Sequence, residues 1–131
     1  MIAVDTNVLV RLLVNDDAAQ AAKARRLFDA RASQDGSIWI SDTVLVELIW
    51  TLARGYGRSR AELVSALRAL AGNATLVLES SAAVRAATEV FAAGAADFSD
   101  CLLSEKARKV GCDQVLTFDK GMRGLAGVKL L

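Results

Sequence analysis

A chain of 131 residues with 53% hydrophobic and 24% charged side chains has the size and composition of one folded domain spanning 1–131, and excludes a disordered segment. Sixteen Lys and Arg against fifteen Asp and Glu leave a formal net charge of +1, so any nucleic-acid-binding surface must be local. Histidine is absent, which excludes imidazole acid–base chemistry and histidine-ligated zinc.

The first element expected is a short buried strand at 2–4, apolar and partly β-branched, running straight into Asp5. Val8, Leu9, Leu12 and Leu13 recur at helical spacing and predict a helix over 6–14. "NDD" at 15–17 stops it and starts a long Ala-rich amphipathic helix over 17–33, with Leu27 and Phe28 on its inner face. "SIWI" at 37–40 reads as a second strand after a turn at Gly36. Ser41 or Asp42 caps the next helix, which runs to about residue 53 and leaves "RGYGRSR" at 54–60 as a loop. A helix over 60–71 stops at Gly72-Asn73, "TLVL" at 75–78 is a third strand, and a helix over 81–93 ends at Gly94. Asp97 opens a helix to about Val110, "QVLTF" at 114–118 is a fourth strand, and "VKLL" at 128–131 is a candidate fifth. Strands alternating with helices predict an α/β fold on a mainly parallel sheet.

No apolar run reaches the ~18 residues of a membrane span, and the opening residues lack a basic leader before a greasy run. A reducing, cytoplasmic setting is therefore expected. Cys101 and Cys112 match no zinc or redox spacing and read as small apolar fillers.

The acids fall at informative places. Ligands of a parallel sheet bind beyond the carboxyl ends of its strands, where Asp5 and Asp119 both sit if strands one and four run parallel. The helix at 42–53 is apolar around most of its circumference, leaving one polar stripe of Thr43, Glu47, Thr51 and Arg54. A buried Glu47 would need a partner or a cation. Asp97 and Asp100 lie one turn apart at a helix start, and beyond them Leu102 and Leu103 are expected in the core. Each acid also has a structural role open to it: Asp5 and Asp97 as helix caps, Asp100 at the positive end of a helix dipole, Asp119 before the Gly121 turn, Glu47 on a solvated stripe. A histidine-free cluster of carboxylates suits a hard divalent cation and hence phosphodiester chemistry.

Four stretches, "VDTNVLVRLL", "LVELIWTL", "ADFSDCLLSEKARKVGC" and "VLTFDKGM", come in an order and spacing that resembles PIN-domain ribonucleases, specifically the VapC-type toxins of toxin–antitoxin pairs. The resemblance spans essentially the whole chain. It implies a three-layer α/β/α sandwich around a central, mainly parallel five-stranded sheet. It places the family's acids on Asp5, Glu47, Asp100 and Asp119, with Asp5, Asp100, Asp119 and Asp97 as metal ligands. Whether Asp97 or Asp100 is the main ligand stays open, with Asp100 preferred. Thr6, Asn7 and Thr117 fall on supporting polar positions. Cys101 and Leu102 stand where the family commonly has small and β-branched residues, a conservative departure.

The resemblance further implies Mg2+- or Mn2+-dependent cleavage of single-stranded or loop RNA, a homodimer or higher toxin–antitoxin assembly, and inhibition by a cognate antitoxin. An alternative function is a catalytically silent PIN-fold binding or regulatory module holding a structural cation. A dehalogenase-like phosphatase would want a second aspartate where Asn7 stands. Arg54, Tyr56, Arg58 and Arg60 offer a basic, aromatic contact for RNA, with a solvated turn as the plainer reading. Lys120 and Arg123 are placed to touch phosphate or simply to cover a turn. Trp50 and its apolar neighbours raise an interface for part of their helix.

Overall fold

The computed structural model describes residues 1–131. Its elements run β1 (Ile2–Ala3), α1 (Thr6–Leu13), α2 (Ala18–Arg31), β2 (Ile38–Ile40), α3 (Asp42–Tyr56), α4 (Arg60–Ala71), β3 (Leu76–Leu78), α5 (Ser81–Ala93), α6 (Phe98–Lys109), β4 (Val115–Thr117), a 3-10 turn (Lys120–Met122) and β5 (Val128–Leu130). Helix starts follow local chemistry: Asp5, Asp17, Ser41 and Ser59 each accept a backbone N–H of the helix they open, and Ser59 forms a capping box with Glu62. No helix is long and apolar enough to cross a membrane.

The α/β class read from the alternation of elements is borne out, with every strand pair parallel. The strands expected as one five-stranded sheet form two groups, β1-β2-β3 and β4-β5. In the first, Ile2, Ile38 and Leu76 stand in one row, and Ala3, Trp39 and Val77 in the next. The ladder of β1 is two residues long, because the chain turns into α1 at Asp5, and its second edge pairs with no strand.

Period-two alternation decides what each strand buries. Ile38, Ile40, Leu76 and Leu78 enter the core, whereas Trp39 is half-buried and Val77 exposed. Leu45, Leu48, Ile49 and Leu52 of α3 pack into the same core with Leu63 and Leu67 of α4, Val84 and Phe91 of α5, and Phe98, Cys101 and Leu102 of α6.

Three local expectations are corrected. The segment read as a loop from residue 54 is helical to Tyr56, because Gly55 stays in the helix and Gly57, at φ +63°, ends it. Leu103, expected in the core with Leu102, is half-exposed, since 100° per residue turns it away from the buried face. Cys112 is exposed beyond the end of α6, while Cys101 is buried, and both are free thiols.

This division gives a test of the two faces. Leu48→Ala should cost about 2–5 kcal/mol in urea unfolding by leaving a cavity in the core. Leu103→Ala on the open face of α6 should stay within about 1 kcal/mol of the parent chain.

Candidate active site

Asp5 follows the buried Val4 at the end of β1, exposed, with Oδ1 accepting the Thr6 N–H at 2.7 Å. Thr6 beneath it is 5% exposed, and its buried hydroxyl has no hydrogen-bond partner. Asn7 turns the other way, into a cavity of about 290 Å³ between α1 and α2 that it shares with Arg11 and Gln20.

Asp119 occupies the matching position after β4. Its N–H donates to Thr117 Oγ1 at 2.9 Å and its Oδ1 accepts the Gly121 N–H at 2.7 Å. A Cβ at Gly121 would lie 3.0 Å from that carboxylate oxygen, so glycine is what lets the turn close this tightly around Asp119. The Thr117 hydroxyl thus holds the backbone of the acid two residues on. The cap reading of Asp5 and the turn reading of Asp119 are both realised, and each leaves Oδ2 outside those bonds.

Asp97 behaves differently. It is the N-cap residue of α6 with extended backbone, yet its side chain makes no cap hydrogen bond. The carboxylate is exposed and lines a cavity of about 250 Å³ with Arg54 and Trp50. Asp100, half-buried in the first turn, has its carboxyl pushed above the usual range by burial, then by the charges of Asp97 and Asp119. These three acids, from α6 and from the end of β4, therefore share one electrostatic neighbourhood.

Glu47 is exposed, so of the two readings open to it the solvated stripe of α3 is the one observed. It lines a groove of about 620 Å³ between α3 and α6, with Trp50, Ser99, Leu103 and Lys106 around it. This groove shares Val46, Trp50 and Ser99 with the cavity beside Asp97. Trp50 is 64% exposed between the two, so this mostly apolar helix keeps its largest side chain outside the core. No three acidic or cysteine side chains converge to metal-ligating geometry.

A family model described as PIN domain matches residues 2–128 of this sequence. The chain belongs to the PIN domain family. It is also similar to a protein named VapC ribonuclease from Aquifex aeolicus (strain VF5), 23% identical over 121 residues, which cover 92% of this chain and 89% of that one. The resemblance read from the four motifs is thereby borne out at the level of the family.

The basic segment of this PIN domain is largely occupied. Tyr56 donates its hydroxyl to Asp16 Oδ2 at 2.7 Å, and Arg11 pairs with Asp16 Oδ1 at 2.9 Å. That network draws the Asp16 carboxyl below its usual range, through the Tyr56 hydrogen bond first and the Arg11 charge after it. Arg58 pairs with Glu62 at 3.3 Å, and Arg60 bonds only backbone carbonyls. Arg54 and Lys120 make no ion pair and are exposed.

Sequence reasoning missed a cluster beside the groove. Asp42 accepts from Lys106 Nζ and from Ser80 Oγ at 2.7 Å, its N–H donates to Glu79 Oε1 at 3.1 Å, and its Oδ1 is buried without a partner. Ser41 is the cap of α3, so Asp42 is free for this role. Its partners lie 38 and 64 residues away, and no local pattern links them.

Asp100 sets the pH dependence of this region. Its folded-state pKa lies above the unfolded value, so its charge opposes folding once the pH passes that unfolded value, about 4. Asp100→Asn should therefore melt higher than the parent chain at pH 7 in EDTA. The gain should shrink as the pH falls through the raised folded-state pKa and be gone below about 4, which thermal unfolding across pH measures directly.

Proposed function

We propose that this chain is a metal-dependent endoribonuclease, the toxin of a toxin–antitoxin pair, which cuts single-stranded or loop RNA. The observation that carries the reading is the crowding at Asp100: a half-buried carboxyl beside two more, one of them a helix-cap aspartate that does no capping. Carboxylates held together against their own repulsion are a demand for positive charge. The PIN family and the likeness to a protein named VapC ribonuclease support the same reading.

The donor set fits a hard divalent cation in chemistry, being all carboxylate in a chain without histidine. Asp100, Asp119 and Asp5 would hold Mg2+ or Mn2+, with Asp97 as a further ligand, once the exposed Asp5, Asp97 and Asp119 side chains turn toward the half-buried Asp100. Such an ion supplies charge neutralisation at the phosphate and a water of lowered pKa. Glu47 then orients water from the α3 side of the groove. The Gly121 N–H fixes the Asp119 carboxylate while Thr117 holds the Asp119 backbone, and the Thr6 N–H fixes the Asp5 carboxylate, with Asn7 next to it as a supporting residue. Attack by water rather than by the ribose 2′-hydroxyl leaves 5′-phosphate and 3′-hydroxyl ends.

RNA is held by local cations, here Arg54 beside Asp97 and Lys120 beside Asp119, with Arg58 and the partly covered Tyr56 at the edge. The open Trp50 and Leu103 belong to the surface that a second copy and a cognate antitoxin would cover. The cap bonds of Asp5 and Asp119 favour a second reading, a silent binding module in which the acids are structural.

Purified protein incubated with single-stranded and hairpin RNAs should cut them in Mg2+ or Mn2+ and not in EDTA, leaving 5′-phosphate ends. Asp5→Asn and Asp119→Asn should each abolish cutting while keeping a cooperative melt. Folded protein that binds RNA but leaves it intact in both metals would establish the silent module instead, and cyclic phosphate ends would overturn the water mechanism.

A further inference from the structure

Arg60 is out of place on its own helix. It is the first residue of α4, where a cation opposes the helix dipole. Its guanidinium instead reaches the far end of α5. Nη1 donates to the carbonyls of Phe91 at 2.8 Å and Ala96 at 2.9 Å, and Nη2 to that of Ala95 at 3.1 Å. The group also lies over the Phe91 ring, 4.1 Å from its centroid, and Phe91 meets Phe98 edge-on at 5.9 Å. One side chain thus joins the last turn of α5, the Gly94–Ala96 connection and the start of α6.

We propose that Arg60 is a positioning residue for Asp97 and Asp100, holding from outside the turn that presents both carboxylates. The proposal rests on the nuclease reading above. A helix start is ordinarily fixed by its own cap side chain, as Asp5 fixes α1 and Ser41 fixes α3. Asp97 makes no such bond. A cap aspartate bonded to its own helix would have given up part of its carboxylate to that bond. With that bond absent, the three carbonyls captured by Arg60 anchor the turn instead.

The anchor is also specific to arginine. The guanidinium is a planar fork that spreads its donors over separated acceptors and stacks on an aromatic face, whereas a lysine ammonium is a compact point charge. The two carbonyls flanking Asp97 on its N-terminal side are backbone groups of the connection, so movement of Arg60 is passed directly to Asp97 and one turn on to Asp100.

The test compares Arg60→Lys and Arg60→Met with Arg68→Met. Arg68 also links α4 to α5, through an exposed pair with Glu89 at 2.9 Å, but touches nothing near Asp97. Melting temperature, Mn2+ affinity by calorimetry, kcat and KM on RNA, and amide hydrogen exchange of residues 95–101 in EDTA are measured for each.

Both Arg60 variants should exchange faster at 95–101 and lose about 10–100-fold in kcat and in Mn2+ affinity, with KM little changed. Arg60→Lys, the milder change, keeps the charge and separates position from charge if Arg60→Met fails to fold. Arg68→Met should leave exchange and kcat at parent values. Unchanged exchange in the Arg60 variants overturns the proposal, as does parent-like kcat and Mn2+ affinity in an active enzyme, or an equal loss in Arg68→Met. If the parent chain neither binds Mn2+ nor cuts RNA, the nuclease reading falls, and the exchange data alone then decide whether Arg60 fixes the turn.

Discussion

Asp97 and Asp119 both oppose the charge of Asp100, and nothing in their own chemistry holds the three acids in one neighbourhood. Packing that is indifferent to charge does so. Phe98, Cys101 and Leu102 sink one side of α6 into the core and thereby carry Asp100 into partial burial. The turn around Gly121 pins Asp119 through backbone bonds that cost no positive side chain. The resulting penalty on the Asp100 charge is the electrostatic counterpart of what a bound cation would return.

Cations elsewhere in the chain are spent on structure, which keeps the candidate site from neutralising itself. Arg11 and Tyr56 close around Asp16, Arg68 pairs with Glu89, and Lys106 meets Asp42 beside the groove. Arg60 is committed to carbonyl oxygens. None of these pairs involves Asp5, Asp97, Asp100 or Asp119. A near-neutral protein can therefore present a net acidic rim, and the exposed Arg54 and Lys120 remain at its borders.

α3 shows how a helix serves two surfaces. Its Leu45, Leu48, Ile49 and Leu52 fill the core, while Trp50 and Glu47 look into the groove against α6. Its sequence shows one polar stripe on an otherwise apolar circumference, and indole counts as hydrophobic whichever way it faces. Only the neighbouring helices say which side is covered.

The sequence by itself determined the α/β order of elements, most helix starts, the parallel strands, and the placing of Asp5 and Asp119 at strand ends. Those features come from residues within a turn or two of each other: a cap and the amide it accepts, alternation along a strand, a glycine after a helix. Tertiary structure decided the split of the strands into two groups, the exposure of Glu47, Trp50 and Leu103, and the extension of α3 to Tyr56. It also assigned Arg60 to a turn more than thirty residues away and Lys106 to Asp42 across sixty-four. Burial and long-range pairing depend on which faces meet when the whole chain condenses, and no local pattern encodes that meeting.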